Sequence, residues 1–84
     1  MVKAKGSEAG MDSRLEAALR VWRLVEARRR GLPAFRIFSD RTLRALATSR
    51  PVTSQELLAV PGIGTSTLEK YGRDIYSVLR ENGG

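Results

Sequence analysis

The most informative stretch of the sequence is Val60-Pro61-Gly62-Ile63-Gly64-Thr65, which lies between two helical patterns. Two glycines around one apolar residue are typical of a turn that needs a positive φ or a close backbone approach. The pattern predicts that Ile63 is buried while the glycine amides remain free. Those amides come just before a helix start, where unpaired N–H groups and the helix dipole favour an anion such as a phosphate. The alternative is a tight turn in which both glycines serve backbone geometry alone.

Hydroxyls and cations follow this hairpin at the start of the next helix. Together with the glycine amides they form a candidate phosphate-binding surface, here called the hairpin patch. Its members are Gly62, Gly64, Thr65, Ser66, Lys70 and Arg73.

Length and composition narrow the classes of protein that fit. A chain of 84 residues forms one small domain with one modest core. It lacks cysteine and histidine, which removes thiolate and imidazole metal ligands and the usual general base. We therefore expect no catalytic residue, no metal and no cofactor. The net charge of +6 favours a polyanionic partner.

The two ends of the chain have small and polar residues without a helical period. We interpret residues 1–11 as a flexible linker, residues 12–80 as the folded domain and residues 81–84 as a flexible tail. The first helix is predicted to begin at Asp12 or Ser13, with Glu16 completing a capping box. The sequence has no apolar run of the roughly 20 residues that a membrane span needs and no signal-peptide stretch.

Helical periods account for the rest of the chain. In the first helix they place Leu15, Leu19, Trp22 and Val25 on one face. Glu26 falls near that face, and we expect its carboxylate either to reach solvent along the stem of its side chain or to be paired. Gly31 is predicted to end this helix. An irregular segment with a single 3₁₀ turn then crosses to a short helix capped by Ser39, which buries Leu43, Leu46 and Ala47 and ends at Arg50-Pro51-Val52.

Two more helices complete the pattern. Thr53 and Glu56 form a capping box for a brief helix that is predicted to bury Leu57 and Leu58. The last helix runs from Thr65 or Ser66 to Arg80, and Gly72 in its middle is predicted to permit the close approach of another helix. The fold class is all-α, a compact bundle of four to five helices with a helix-hairpin-helix-like turn.

Six arginines and one aromatic ring form a second candidate surface, here called the arginine patch. Cations around an exposed ring are typical of proteins that bind single strands without sequence preference. The alternative is that both phenylalanines, Phe35 and Phe38, fill the core and that the arginines are a solvated face. We expect Phe38, Trp22 and Tyr71 in the core and leave Phe35 open. The members of the patch are Arg28, Arg29, Arg30, Phe35, Arg36, Arg41 and Arg44.

Several sequence segments resemble the HRDC (helicase and ribonuclease D C-terminal) domain in their residues, their order and their spacing. The resemblance is strongest to the HRDC domain of a bacterial RecQ-type DNA helicase. These segments cover residues 13–80: Leu19-Arg20-Val21-Trp22-Arg23, Gly31 through Asp40, Thr42-Leu43, Leu57 through Gly64, and Leu68-Glu69-Lys70-Tyr71-Gly72. The bacterial pattern often has Pro-Tyr where this chain has Ala34-Phe35, so the ring is kept and the hydroxyl is lost.

The resemblance implies a non-catalytic accessory module of an ATP-dependent DNA helicase. Such a module binds single-stranded or partly duplex DNA weakly, is monomeric when isolated and acts in the bacterial cytoplasm. In that family the hairpin is largely structural, so the arginine patch ranks above the hairpin patch. Two alternatives stay open: a regulatory module that docks on the helicase core of the same chain, and the RNA-binding HRDC module of a ribonuclease D.

Overall fold

The computed structural model describes the backbone of residues 3–83 and the side chains of residues 14–82. Within that range the chain forms a bundle of four α-helices and one 3₁₀ turn, without strands, as predicted. Helix α1 packs against α2, α4 and the 3₁₀ turn, and α3 packs against α4. The elements are α1 (Lys3–Arg30), the 3₁₀ turn (Ala34–Arg36), α2 (Asp40–Ser49), α3 (Ser54–Ala59) and α4 (Thr65–Gly83).

Both terminal helices are longer than predicted. Helix α1 begins at Lys3 instead of Asp12 or Ser13, so Ser13 lies inside the helix and not at its start. The residues before it include lysine, alanine and glutamate, which have high helix propensity even without an apolar period. Helix α4 continues past Arg80 to Gly83. Met1, Val2 and Gly84 lie outside the described residues, and the domain boundaries at 12 and 80 stay a prediction.

The inward face of α1 differs from the predicted one at a single position. Leu15 and Leu19 are fully buried, but Val25 is 59% exposed and Glu26 takes the inward place. Each residue of a helix advances about 100° around the axis. Position 26 therefore returns to the line of Leu15 and Leu19, whereas position 25 is turned away from it. The apolar stripe of α1 is thus interrupted by a buried carboxylate.

Helix α1 ends where Gly31 adopts a left-handed conformation, with φ of 69°. The N–H of Leu32 donates to the carbonyl of Ala27 at 2.9 Å, and the N–H of Gly31 donates to the carbonyl of Arg28 at 3.2 Å. This pair of bonds is the Schellman motif, which confirms the predicted helix end. A Cβ at Gly31 would meet no other atom, so the positive φ alone accounts for glycine there.

The hairpin before α4 is fixed by one buried threonine. Ile63 is 5% exposed, as predicted. Thr42 of α2 donates from its hydroxyl to the carbonyl of Pro61 at 2.8 Å. Gly62 has φ of 91°, and a Cβ there would overlap the Thr42 hydroxyl, so both predicted reasons for glycine apply. Neither applies at Gly64, where a Cβ would meet nothing and φ is not in the left-handed range.

The caps of the two short helices agree with the predicted ones. Ser39 accepts from the N–H of Thr42 at 3.2 Å, and Thr53 accepts from the N–H of Glu56 at 3.1 Å. In a capping box the carboxylate of Glu56 would accept from the N–H of the capping residue, Thr53. Here it accepts instead from the N–H of the preceding residue, Val52, at 2.8 Å. The end of α2 is also confirmed, since Arg50 adopts a left-handed conformation before Pro51.

The predicted core is confirmed except at Val25 and Leu58. Leu57 is fully buried, but Leu58 is 42% exposed, because adjacent helical positions are about 100° apart and only one of them faces the bundle. Gly72 is buried as well. A Cβ there would crowd Leu68 of the same helix at 2.9 Å, whereas Leu57 of α3 would be at an ordinary contact distance of 3.8 Å.

Candidate nucleic-acid interface

The 3₁₀ turn presents Phe35 to solvent. Phe35 is 68% exposed, whereas Ile37 and Phe38, the two residues that follow the turn, are 3% and 4% exposed. The turn is closed by hydrogen bonds from the N–H of Arg36 to Pro33 at 2.9 Å and from the N–H of Ile37 to Ala34 at 3.0 Å. The open question about Phe35 is therefore answered: Phe38 fills the core and Phe35 does not.

An aromatic cluster beneath the turn anchors it to the bundle. The ring of Phe38 stacks on Trp22 with centroids 6.0 Å apart and planes 18° apart. Trp22 meets Tyr71 of α4 edge-on, with centroids 5.6 Å apart. Tyr71 is buried as predicted, and Trp22 is half-buried against the core rather than free to stack on a base. The residue two positions after the turn thus packs on Trp22 of α1, which in turn contacts Tyr71 of α4.

Arg23 of α1 holds the segment that follows the turn, a role that the sequence analysis missed. Its guanidinium is buried and donates to the Phe38 carbonyl at 2.9 Å and to the Asp40 carboxylate at 2.8 Å. The hydrogen bond from Arg23 holds the pKa of Asp40 below its usual range. The only sequence signal was an arginine beside the apolar stripe of α1.

Two arginines of the arginine patch are bound to the buried carboxylate of α1. Glu26, 5% exposed, accepts from Arg29 at 2.8 Å and from Arg30 at 2.6 Å. These hydrogen bonds hold the pKa of Glu26 below its usual range. The guanidinium carbon of Arg30 also lies 4.9 Å from the Tyr71 ring centroid, a cation–π contact. Of the two expectations for Glu26, pairing is confirmed, and it reduces the positive charge that these two arginines offer a ligand.

The other arginines of the patch are more available. Arg28, Arg36 and Arg41 are exposed and form no ion pair within the described part of the chain. Arg44 is 3.8 Å from the Glu16 carboxylate and keeps a side chain that is 64% exposed. Arg36 follows Phe35 directly in the 3₁₀ turn, so an exposed cation is next to an exposed ring along the chain.

All six members of the hairpin patch are exposed. Lys70 and Arg73 form no ion pair among the described side chains. Gly62, however, is already explained by its packing against Thr42, which weakens the case that the hairpin glycines exist for phosphate binding.

Residues 3–83 include no helix long and apolar enough to cross a membrane. Among the described side chains, those of residues 14–82, no group of three or more acidic, histidine or cysteine side chains is placed to hold a metal ion.

The family profile of the HRDC domain matches residues 12–79. The chain belongs to the HRDC domain family. Its fold agrees with that of the solved structure named D. radiodurans RecQ HRDC domain 3, with a TM-score of 0.80 and 37% sequence identity. That likeness covers 83% of this chain and 92% of the other. The resemblance stated from the sequence is thereby confirmed.

Relatives of this HRDC domain occur in two kinds of helicase. The ATP-dependent DNA helicase UvrD2 of Mycobacterium tuberculosis is 40% identical over 72 residues, which is 86% of this chain and 10% of the relative. The ATP-dependent DNA helicase RecQ of Pasteurella multocida is 31% identical over 74 residues, 88% of this chain and 12% of the relative. The chain thus spans about a tenth of the length of these helicases. UvrD2 is thus a second kind of helicase with a related domain, besides the RecQ-type helicases that the sequence resembles.

Proposed function

We propose that this HRDC domain is a non-catalytic accessory module of a DNA helicase that binds single-stranded or junction DNA weakly and without sequence preference. The observation that carries the proposal is Phe35, an exposed aromatic ring on a turn that also carries the unpaired Arg36. The partners we propose are DNA and the helicase core, and the location is the bacterial cytoplasm.

The chemistry of the 3₁₀ turn supports a single strand as ligand. Every base has a π face, so stacking on an exposed ring is sequence-tolerant and contributes roughly 1–3 kcal/mol per base. A base within a duplex is already stacked on its neighbours and does not offer that face. Junctions and partly unwound duplexes expose such bases, and these are the substrates on which a helicase acts.

Phosphate contacts supply the rest of the proposed affinity. Arg28, Arg36 and Arg41 are exposed and unpaired within the described residues, and Arg44 is only loosely paired. Arg29 and Arg30 contribute less in this proposal, because the Glu26 carboxylate already accepts their N–H groups. Three or four phosphate contacts predict weak and strongly salt-dependent binding.

The test is a titration of the chain with a labelled single strand of mixed sequence at 50 and about 300 mM salt, followed by fluorescence anisotropy and amide chemical shifts. We expect affinity to fall steeply with salt and shifts to concentrate around residues 28–44. An absence of shift changes at low salt both there and around residues 62–73 would refute DNA binding by this domain. Shifts confined to residues 62–73 would move the site to the hairpin patch.

The same titration with an RNA strand tests the ribonuclease D alternative, and a clear preference for RNA over DNA would favour that alternative. Stacking and phosphate contacts alone do not distinguish the two sugars, because only a contact to the 2′-hydroxyl does so. The HRDC relatives in RecQ and UvrD2, both DNA helicases, favour DNA.

A further inference from the structure

Helix α1 carries an exposed apolar stripe on the side opposite the core. Val21 is 63% exposed, Leu24 46% and Val25 59%, and Ala17 is exposed one turn before Val21. Val21 is four residues after Ala17, and Leu24 and Val25 are three and four residues after Val21, so the four positions share one side of the helix. Val21, Leu24 and Val25 are three of the six large apolar residues that are exposed in the described part of the chain. Exposed apolar side chains grouped on one side of a helix are a candidate interaction surface, because apolar patches rimmed by polar residues occur at protein–protein contacts.

An arginine stands at each end of this stripe. Arg14 and Arg28 lie on the same line as Val21, and both are exposed and without an ion pair within the described residues. They are fourteen positions apart, which is about 21 Å along a helix axis. The surface therefore consists of an apolar centre between two cations at a fixed separation.

We propose that this stripe is a docking surface for an amphipathic α-helix of a protein partner, whose apolar face lies between two carboxylates about 21 Å apart. An amphipathic helix buries its apolar residues at the spacing that Ala17, Val21, Leu24 and Val25 provide. Its carboxylates would then meet Arg14 and Arg28, which form no ion pair among the described side chains. This inference goes beyond DNA binding, and the proposed surface shares only Arg28 with the arginine patch.

Charge argues against the other occupants. A second copy of this chain would bring Arg14 onto Arg28 in the antiparallel arrangement, or each arginine onto its own equivalent in the parallel one. The net charge of +6 adds to that repulsion. Nucleic acid would satisfy the arginines, but valine and leucine have no flat face on which a base stacks, so the apolar centre would stay uncovered.

The test uses a designed helical peptide as the probe, with leucines along one face and a glutamate at each end of that face. Its matched control has lysines in place of the two glutamates. We expect the acidic peptide to shift the amides of residues 14–28 saturably, and Val21→Glu or Leu24→Glu to weaken binding at least tenfold. Val52→Glu is the control variant, because Val52 is 77% exposed but lies between α2 and α3.

A charge exchange distinguishes the proposed partner from general hydrophobic adhesion. Replacing both arginines, Arg14→Glu with Arg28→Glu, is expected to weaken the acidic peptide and to strengthen the lysine peptide by a similar factor. Equal binding of both peptides by the wild type, or loss of binding with Val52→Glu, would overturn the proposal. So would a concentration-dependent dimer in sedimentation that Val21→Glu abolishes, or amide shifts at Val21 and Leu24 on addition of single-stranded DNA.

Discussion

The hydroxyl of Thr42 donates to the carbonyl of Pro61 at 2.8 Å and also occupies the space that a side chain at Gly62 would need. One buried side chain, 3% exposed, thus connects the first turn of α2 to the hairpin before α4. The hairpin keeps its conformation because a neighbouring helix holds it, in addition to the backbone freedom of its glycine.

Gly62→Ala is expected to destabilise the fold by about 2–4 kcal/mol. The new Cβ displaces the Thr42 hydroxyl, which breaks its hydrogen bond, and alanine is strained at φ of 91°. Gly64→Ala is the matched control, since a Cβ there meets nothing. Urea unfolding measures both variants, and equal stabilities of the two would contradict the role given to Thr42.

Phe35→Ala is expected to leave the free energy of unfolding within about 0.5 kcal/mol of the wild type, because the ring is exposed. The same truncation of the buried Phe38 is expected to cost about 3–5 kcal/mol. In DNA titrations Phe35→Ala is expected to lose roughly 1–3 kcal/mol of binding energy. A stable Phe35→Ala protein that binds a single strand like the wild type would show that the ring does not stack on DNA.

Arg36→Ala is expected to weaken binding to all sequences alike. It removes one unpaired cation, so the slope of log affinity against log salt should fall by about 0.7 for a single strand. Arg29→Ala is the comparison, because it removes the same formal charge from an arginine that Glu26 already holds. Its effect on the slope is expected to be smaller, and a reversed order would mean that the ion pair opens when DNA binds.

Acid is expected to weaken the fold through Glu26. Its pKa is lower in the folded protein than in the unfolded chain, because Arg29 and Arg30 donate to the charged form. Its contribution to stability is therefore complete above the unfolded pKa of about 4.3 and is lost as the pH falls through the folded pKa. Glu26→Gln should flatten the dependence of the melting temperature on pH below about 4.5. An unchanged acid slope in that variant would assign the effect to other carboxylates, such as Asp40.

Arg23→Ala is expected to destabilise the fold by about 2–3 kcal/mol. It leaves the buried carbonyl of Phe38 without its donor and removes the partner of Asp40. Arg41→Ala, an exposed position without an ion pair in the described residues, should change the melting temperature little. Melting temperatures that fall equally in both variants would mean that Arg23 has no special structural role.

The sequence predicted the elements of this fold well and their charged interior poorly. Capping residues such as Ser39 and Thr53, and the glycine at position 31, act within a few residues of themselves, so their signals are local. The burial of Glu26 depends on the exact rotation of α1 and on two arginines one turn away. The helical period places both Val25 and Glu26 near the inward face of α1. Hydrophobicity alone favours Val25 for the core, but the rotation of the helix puts Glu26 there.

The candidate site was also predictable only in part. The members of the arginine patch were predicted from composition and order, whereas their pairing follows from three-dimensional neighbours. That Arg29 and Arg30 are held by Glu26, and that Arg36 is not, required the structure. The exposure of Phe35 also required it, because Phe35 and Phe38 have the same chemistry and lie in one short segment.

The 3₁₀ turn has a consequence for the binding entropy of any ligand that stacks on Phe35. Pro33 restricts the backbone on one side, with φ of −65°, and the buried Ile37 and Phe38 fix it on the other. The ring is thus displayed by a backbone that is already ordered, and only its two side-chain torsions remain to be restricted on contact. A preorganised platform loses little conformational entropy on association, so more of the stacking energy remains as binding free energy.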